Sequence, residues 1–222
     1  MFAVMFEVHP KSDQRDAYLD YAKMLRPELE QIDGFIDNIR YESRSREGWI
    51  LSLSSWRDEK SLVRWRTQAT HHGVQEKGRL EVFLDYHLRV GQVTSDSHIP
   101  NGYALREQRL DETEVGVGSA AVLVTATRKD AGEEGSSPED LTAWLGLETD
   151  ENEPSFLDVY EAVLTPGDFI LQSVWRDASA AAEFANRMTA PDGSRARTVR
   201  IVRDYSMYDR RETPQFYAEL SR

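Results

Sequence analysis

Residues 49–66 read WILSLSSWRDEKSLVRWR, and residues 168–187, 119 positions on from the start of that strand, read DFILQSVWRDASAAAEFANR. In both, a strand-forming stretch ends at a Trp-Arg-Asp triplet, Trp56-Arg57-Asp58 or Trp175-Arg176-Asp177, and a helix-forming run follows. Asp is a strong helix N-cap, so each stretch predicts a strand that delivers a capped helix. The same ungapped offset places Tyr41-Glu42 on Tyr160-Glu161, Gly48 on Gly167, Ser54 on Ser173, Thr70 on Thr189 and Asp85-Tyr86 on Asp204-Tyr205. That makes ten identities over the 46 positions from Tyr41 to Tyr86. A period this long is no solenoid repeat and predicts two copies of one small domain.

Outward from the first triplet, residues 2–8 alternate Phe2, Val4, Phe6 and Val8 as a strand does. A helix starting at Ser12 shows Tyr18, Tyr21, Ala22, Leu25, Leu29 and Ile32 on one face, with a bend expected at Met24–Arg26 before Pro27 and an end at Asp33-Gly34. Strands 35–43 and 49–56 form a hairpin across the turn Arg44–Gly48, a second helix runs from Asp58 to Gly73 or Gly78, and a last strand covers 82–93. The second copy reads as strand 117–127, a helix from Ser137-Pro138, strands 156–164 and 168–175, helix 178–188 and strand 197–208.

Both copies follow βαββαβ, so the expected fold class is α+β: two tandem ferredoxin-like units, at 1–94 and 115–222, joined by a linker at 95–114. Each antiparallel sheet carries its helices on one face and leaves the other bare. Two tethered sheets that cover each other make an intrachain pseudo-dimer, an α+β barrel, and leave pairing into a homodimer open. Loop 129–136 and the acidic stretch 148–153 are expected in solvent, and Phe216 and Tyr217 are expected to dock on another surface.

Composition narrows the function classes. The chain has no cysteine, which removes thiolate nucleophiles and zinc-cysteine sites and favours a cytoplasmic location. No export signal or apolar span is legible, so no membrane role is expected. The net charge is −12, and residues 96–222 carry 24 acidic against 13 basic side chains, which disfavours nucleic acid as a partner. A small, mainly apolar substrate remains.

The AVMFEV start, LRPELEQIDGF at the end of the first helix, LSLSSWRDEKSLVRWR, and FLDYHLRV in the last strand resemble the antibiotic biosynthesis monooxygenase family. VWRDASAAAEFANR and VRDYSMYDRRE extend a looser resemblance into the second copy. The resemblance implies a dimeric α+β barrel with its cleft between the sheet and helices of one unit. It also implies oxidation of an aromatic or polyketide-like small molecule by O₂ without a metal or flavin. One branch of the family binds or degrades heme, pairing a second-helix tryptophan with a downstream histidine and a first-strand asparagine. Trp65 matches that tryptophan and His71 or His72 lies near the ligand position, while strand 2–8 has no asparagine.

Continuing the second helix past Trp65 puts His72 two turns on, on the inward face with Leu62 and Ala69, and turns His71 by about 100° toward water. On this reading His72 takes the proton of a phenolic substrate, Trp65 with Tyr18 or Tyr21 holds its ring, and Tyr86 lies on the same side of the last strand. The heme alternative uses His71 or His72 as ligand, and a non-enzymatic binding or assembly module is the third. The second copy has Phe184 for Trp65 and Ala190-Pro191 for the two histidines, so any histidine site is single. Asp85, His87 and Arg89 share the opposite face of the last strand and read as a salt network on the sheet surface or, as the alternative, a polar cluster that binds or deprotonates a phenol, and Tyr41 reads as core or pocket. His72 and Glu76 are spaced as a metal pair, but no third ligand is placed, so no metal is expected.

Overall fold

The computed structural model describes residues 1–106, 120–128, 137–147 and 154–214. The first half runs β1 (Phe2–Pro10), α1 (Arg15–Glu30), β2 (Phe35–Ser43), β3 (Ile50–Trp56), α2 (Glu59–Arg66), α3 (Ala69–Lys77), one π turn (Gly78–Val82) and β4 (Phe83–Asp96). The second runs β5 (Ala120–Thr127), α4 (Pro138–Trp144), β6 (Phe156–Ala162), β7 (Asp168–Trp175), α5 (Ala178–Arg187) and β8 (Arg195–Ser206).

Local chemistry sets the ends of these elements. The Asp58 carboxylate accepts from the Ser61 backbone N–H at 2.8 Å, and Asp177 accepts from Ala180 at 2.8 Å, so the paired triplets cap equivalent helices. Trp56 Nε1 donates to Ser54 Oγ at 2.9 Å and Trp175 Nε1 to Ser173 Oγ at 3.0 Å, which makes both recurring tryptophans buried architectural groups. Helix α1 runs through Pro27 to Glu30, because a proline in the last turn costs only one hydrogen bond near a helix end. Gly34 turns the chain into β2 at φ +91°, where a Cβ would lie 2.1 Å from Ser61 Oγ.

The eight strands close one barrel in the order β1-β3-β2-β6-β7-β5-β8-β4. The two halves cover each other, as expected of an α+β pseudo-dimer. Their seams differ: β4 pairs with β8 from His87↔Ser206 to Asp96↔Arg197, whereas β2 meets β6 only through Tyr41↔Ala162, Glu42↔Glu161 and Ser43↔Tyr160. The first seam carries β4 to Asp96, beyond the expected strand end, because Ser95 and Asp96 find partners in Thr198 and Arg197. Residues 107–119, loop 129–136, stretch 148–153, Phe216 and Tyr217 lie outside the described residues.

Alternation along β1 divides two interiors. Met1, Ala3 and Met5 point into the barrel with Leu51, Leu53, Leu123 and Ile170, while Phe2, Val4, Phe6 and Val8 point outward beneath the helices. Each of these side chains larger than alanine contributes roughly 1.5–3 kcal/mol by burial. Glu7 follows the inward series and is 1% exposed; it accepts from Arg46 at 2.7 Å, Tyr160 Oη at 2.9 Å and Gln172 at 3.2 Å, and pairs with Arg89. Asp85, His87 and Arg89 do not form the surface network expected of them. Closure of the sheet turns His87 and Arg89 toward Asp204 of β8 and, for Arg89, Glu7 inside the barrel, while the Asp85 carboxylate accepts from the Tyr86 backbone N–H at 2.8 Å.

Candidate active site

A cavity of about 210 Å³ lies between the first half of the barrel and its helices, the position the family resemblance implied. Val4 and Phe6 of β1, Asn38 and Arg40 of β2, Ser52 and Ser54 of β3, and Tyr86, Leu88 and Val90 of β4 form its floor. Tyr18, Tyr21 and Leu25 of α1, Leu62 and Trp65 of α2, and His71 and Val74 of α3 form its roof. One end is closed from the other half by Arg203 and Tyr205 of β8 and by Arg210, Thr213 and Pro214 beyond it.

The histidines sit opposite to the expectation. Helix α2 stops at the Thr67 C-cap, Gln68 is extended at φ −65° and ψ 132°, and its side chain caps α3 by accepting from the His71 N–H at 2.7 Å. The break resets the helical phase, so His71 folds onto Trp65 and lines the cavity, while His72 and Ala69 are exposed. The imidazole and indole are stacked with ring centres 4.1 Å apart and planes 15° apart.

His71 Nδ1 lies 3.0 Å from the Trp65 carbonyl oxygen. A carbonyl only accepts, so Nδ1 carries the proton and Nε2 holds the lone pair. Burial pushes the imidazole down to about 4, against a smaller upward pull from the carbonyl and a further lowering by His72. The group is therefore a neutral imidazole of fixed tautomer near pH 7.

Trp65, Tyr18, Tyr21 and Tyr86 all line this cavity. The Tyr18 ring meets the Phe83 edge at 5.9 Å and has the Arg40 guanidinium 6.0 Å from its centre. The Tyr86 hydroxyl accepts from Arg79 at 3.1 Å and Arg210 at 2.6 Å. Tyr41 is absent from the cavity: it points into the barrel, where burial pushes its phenol up to about 12. Periodicity gave no hint of Asn38, which donates to Ser52 Oγ at 3.0 Å, or of the arginines. Among the described residues no group of three or more His, Asp or Glu side chains is arranged to hold a metal ion.

Among the described residues of the second half, a hydrophobic cluster stands at the corresponding place. Phe184 stacks on Trp175 with centres 5.0 Å apart, and Leu141, Leu145, Val122 and Leu171 pack around them. Trp65 thus lines a cavity in one half, and Phe184, its counterpart, joins a packed cluster in the other.

The family model described as antibiotic biosynthesis monooxygenase matches residues 1–77. A curated relative, Jasmonate monooxygenase ABM from Pyricularia oryzae, is 48% identical over 225 residues that span 100% of both chains. The crystal structure of aldoxime dehydratase superposes with a TM-score of 0.53 at 11% identity, covering 90% of this chain and 80% of that one, which is a likeness of fold. Aldoxime dehydratase in complex with butyraldoxime gives 0.52 at 11% identity, covering 90% and 78%. The described residues contain no helix long and apolar enough to cross a membrane. With a relative of this identity aligned from end to end, the chain belongs to the antibiotic biosynthesis monooxygenase family.

Proposed function

We propose that the first-half cavity oxidises a small, mainly apolar molecule with O₂ and without a bound cofactor. The observation that carries the reading is a neutral imidazole, His71, held in one tautomer on the wall of an aromatic cavity. His71 Nε2 accepts a proton from a phenol or an activated methylene, and the resulting anion is electron-rich enough to react with oxygen. For a methylene the balance is CH₂ + O₂ → C=O + H₂O: two C–H bonds break, one oxygen atom enters the carbonyl and the other leaves as water. Trp65 and Tyr18 hold the ring or chain against the floor. A site of this kind suits an aromatic or polyketide-like ketone or phenol, and jasmonate, for which the relative is named, is the first compound to test.

Oxygen uptake by the purified chain, across a panel of phenols, anthrone-type ketones and jasmonate, tests this under ¹⁸O₂. One labelled atom in the product, with uptake lost in His71→Ala, supports it. No uptake with any member, or an unchanged His71→Ala, sinks it.

Heme is the competing proposal, with His71 as ligand. It has less support: the cavity, at about 210 Å³, lies below the roughly 300–1,000 Å³ usual for drug-sized ligands. A saturable Soret band on adding hemin, lost in His71→Ala, would reverse that judgement. A silent binding module predicts a pocket filled by its own side chains, which the open cavity argues against.

A further inference from the structure

Helix α3 carries His71 over the cavity, yet none of its nine residues is buried and Val74 packs only partly against the apolar cluster beneath it. Packing therefore does little to fix where this helix lies. Both of its ends are fastened to α1 instead. At the C-terminal end the Lys77 ammonium lies 5.4 Å from the centre of the Tyr21 ring. At the N-terminal end the Gln68 side chain joins two helices: Oε1 accepts from the His71 N–H at 2.7 Å, and Nε2 donates to the Glu28 carboxylate of α1.

The chemistry leaves one orientation for that amide. A carboxylate only accepts, so Nε2 faces Glu28 and Oε1 is left to cap α3. The other Nε2 hydrogen faces Thr70 Oγ1 at 3.4 Å. Gln68 also meets the imidazole by a second route. Its backbone N–H donates at 3.2 Å to the Trp65 carbonyl oxygen, and His71 Nδ1 lies 3.0 Å from that same oxygen.

Capping alone does not ask for glutamine. Ser, Thr, Asp and Asn are the preferred caps, and Asp58, Ser137 and Asp177 serve α2, α4 and α5. The longer glutamine caps a helix and reaches α1 at the same time. The second half supplies the contrast: Arg187 stands in the place of Gln68, and no helix lies between α5 and β8. Gln68 and α3 thus occur in the half whose helices roof the cavity.

We propose that Gln68 is a positioning residue for His71, and that its bond to Glu28 holds the imidazole against Trp65 by tying the start of α3 to α1. The proposal rests on the reading of His71 as the base and adds the groups that keep it in place. Proton transfer needs Nε2 of His71 at a fixed point relative to the substrate, and a misplacement of about 1 Å costs on the order of a hundredfold in rate.

Nuclear magnetic resonance of the His71 ring in the full chain, assigned with His71→Phe, tests this without a substrate. The unaltered chain should show one neutral tautomer, protonated at Nδ1, with a midpoint of about 4. Besides burial, His72 of α3 acts on that midpoint, whereas Glu28 of α1 meets Gln68 rather than the ring. Gln68→Ser keeps a good cap and loses the bond to α1, and Glu28→Ala loses the same bond from the other side. In both, the midpoint should climb from about 4 toward the ordinary 6.5 and the two tautomers should mix. Glu28→Gln still accepts from Nε2 and should restore the unaltered spectrum. In Gln68→Ser/Glu28→Ala the two changes should not add, as expected of one shared bond. A His71 signal unchanged in Gln68→Ser overturns the proposal, since a simple cap predicts that result. So does a signal that changes in Gln68→Ser and not in Glu28→Ala. Glu28 is only partly buried and does not line the cavity, so Glu28→Ala decides the matter if circular dichroism shows Gln68→Ser unfolded.

Oxygen uptake run alongside separates the two readings. The expected spectral changes with no uptake by the unaltered chain sink the oxygenase and leave the positioning role standing. Uptake whose kcat falls about tenfold or more in Gln68→Ser, with KM within about twofold, supports both. Uptake with an unmoved His71 signal keeps the oxygenase and overturns the positioning role.

Discussion

The imidazole of His71 lies parallel to the indole of Trp65 at 4.1 Å and is tied through Nδ1 to that same residue's carbonyl oxygen. One residue thus sets both the plane and the tautomer of the candidate base. If the base is His71, His71→Ala lowers oxygen uptake by roughly 10²–10⁴-fold, the usual worth of a positioned general base, whereas His72→Ala leaves it within about twofold. An oxygen electrode reads both, and an equal loss in the two variants would contradict the assignment.

His71 also couples stability to pH. Its folded value, about 4, lies below the ordinary 6.5, so between those limits the unfolded chain binds more protons and stability rises with pH. On acidification the contribution is intact above about pH 6.5, is lost progressively toward pH 4 and changes no further below it. The loss from this group is at most about 3 kcal/mol, reduced by its partial exposure. Urea unfolding from pH 7 to 4 should show a shallower slope in His71→Phe than in the unaltered chain.

Glu7 is the centre of a charged network inside the barrel, bonded to Arg46, Arg89, Tyr160 and Gln172. Glu7→Gln leaves Arg89, 6% exposed, facing a neutral amide and should cost about 3–5 kcal/mol in denaturant unfolding. A loss under 1 kcal/mol would mean that Asp204 alone compensates Arg89.

Gly34→Ala combines a positive φ with a methyl placed against Ser61 Oγ and should destabilise by roughly 1–3 kcal/mol. The double variant Gly34→Ala/Ser61→Ala removes the contact with Oγ but keeps the 2.8 Å approach to the residue 61 Cβ and the backbone strain, so it should recover only part of the loss. Full recovery would assign the whole effect to the contact.

Much of this architecture was legible in the chain. The Trp-Arg-Asp triplets marked two strand ends and two capped helices because Asp58 and Asp177 act through their own next turn. Periodicity carried through Thr67-Gln68 points His72 inward in place of His71, because a capping glutamine starts a new helix there and nothing in the apolar pattern signals it. Tyr18, Tyr21, Trp65 and Tyr86 were legible because each lies on the apolar face of its own element. Arg203, Tyr205 and Arg210 were not, since they reach the cavity through a pairing between β4 and β8 that joins residues more than a hundred positions apart. The same closure hid the interior placement of Arg89.

The uneven seams bear on how such a site is inherited. A symmetric dimer of single units repeats every substitution at both of its pockets, so a change that improves one wall alters its twin. In a single chain, Arg210 and Tyr205 can be selected for what they do at Trp65's cavity, while Phe184 is free to fill the other. Joining the units end to end therefore decouples the two faces of the barrel under selection.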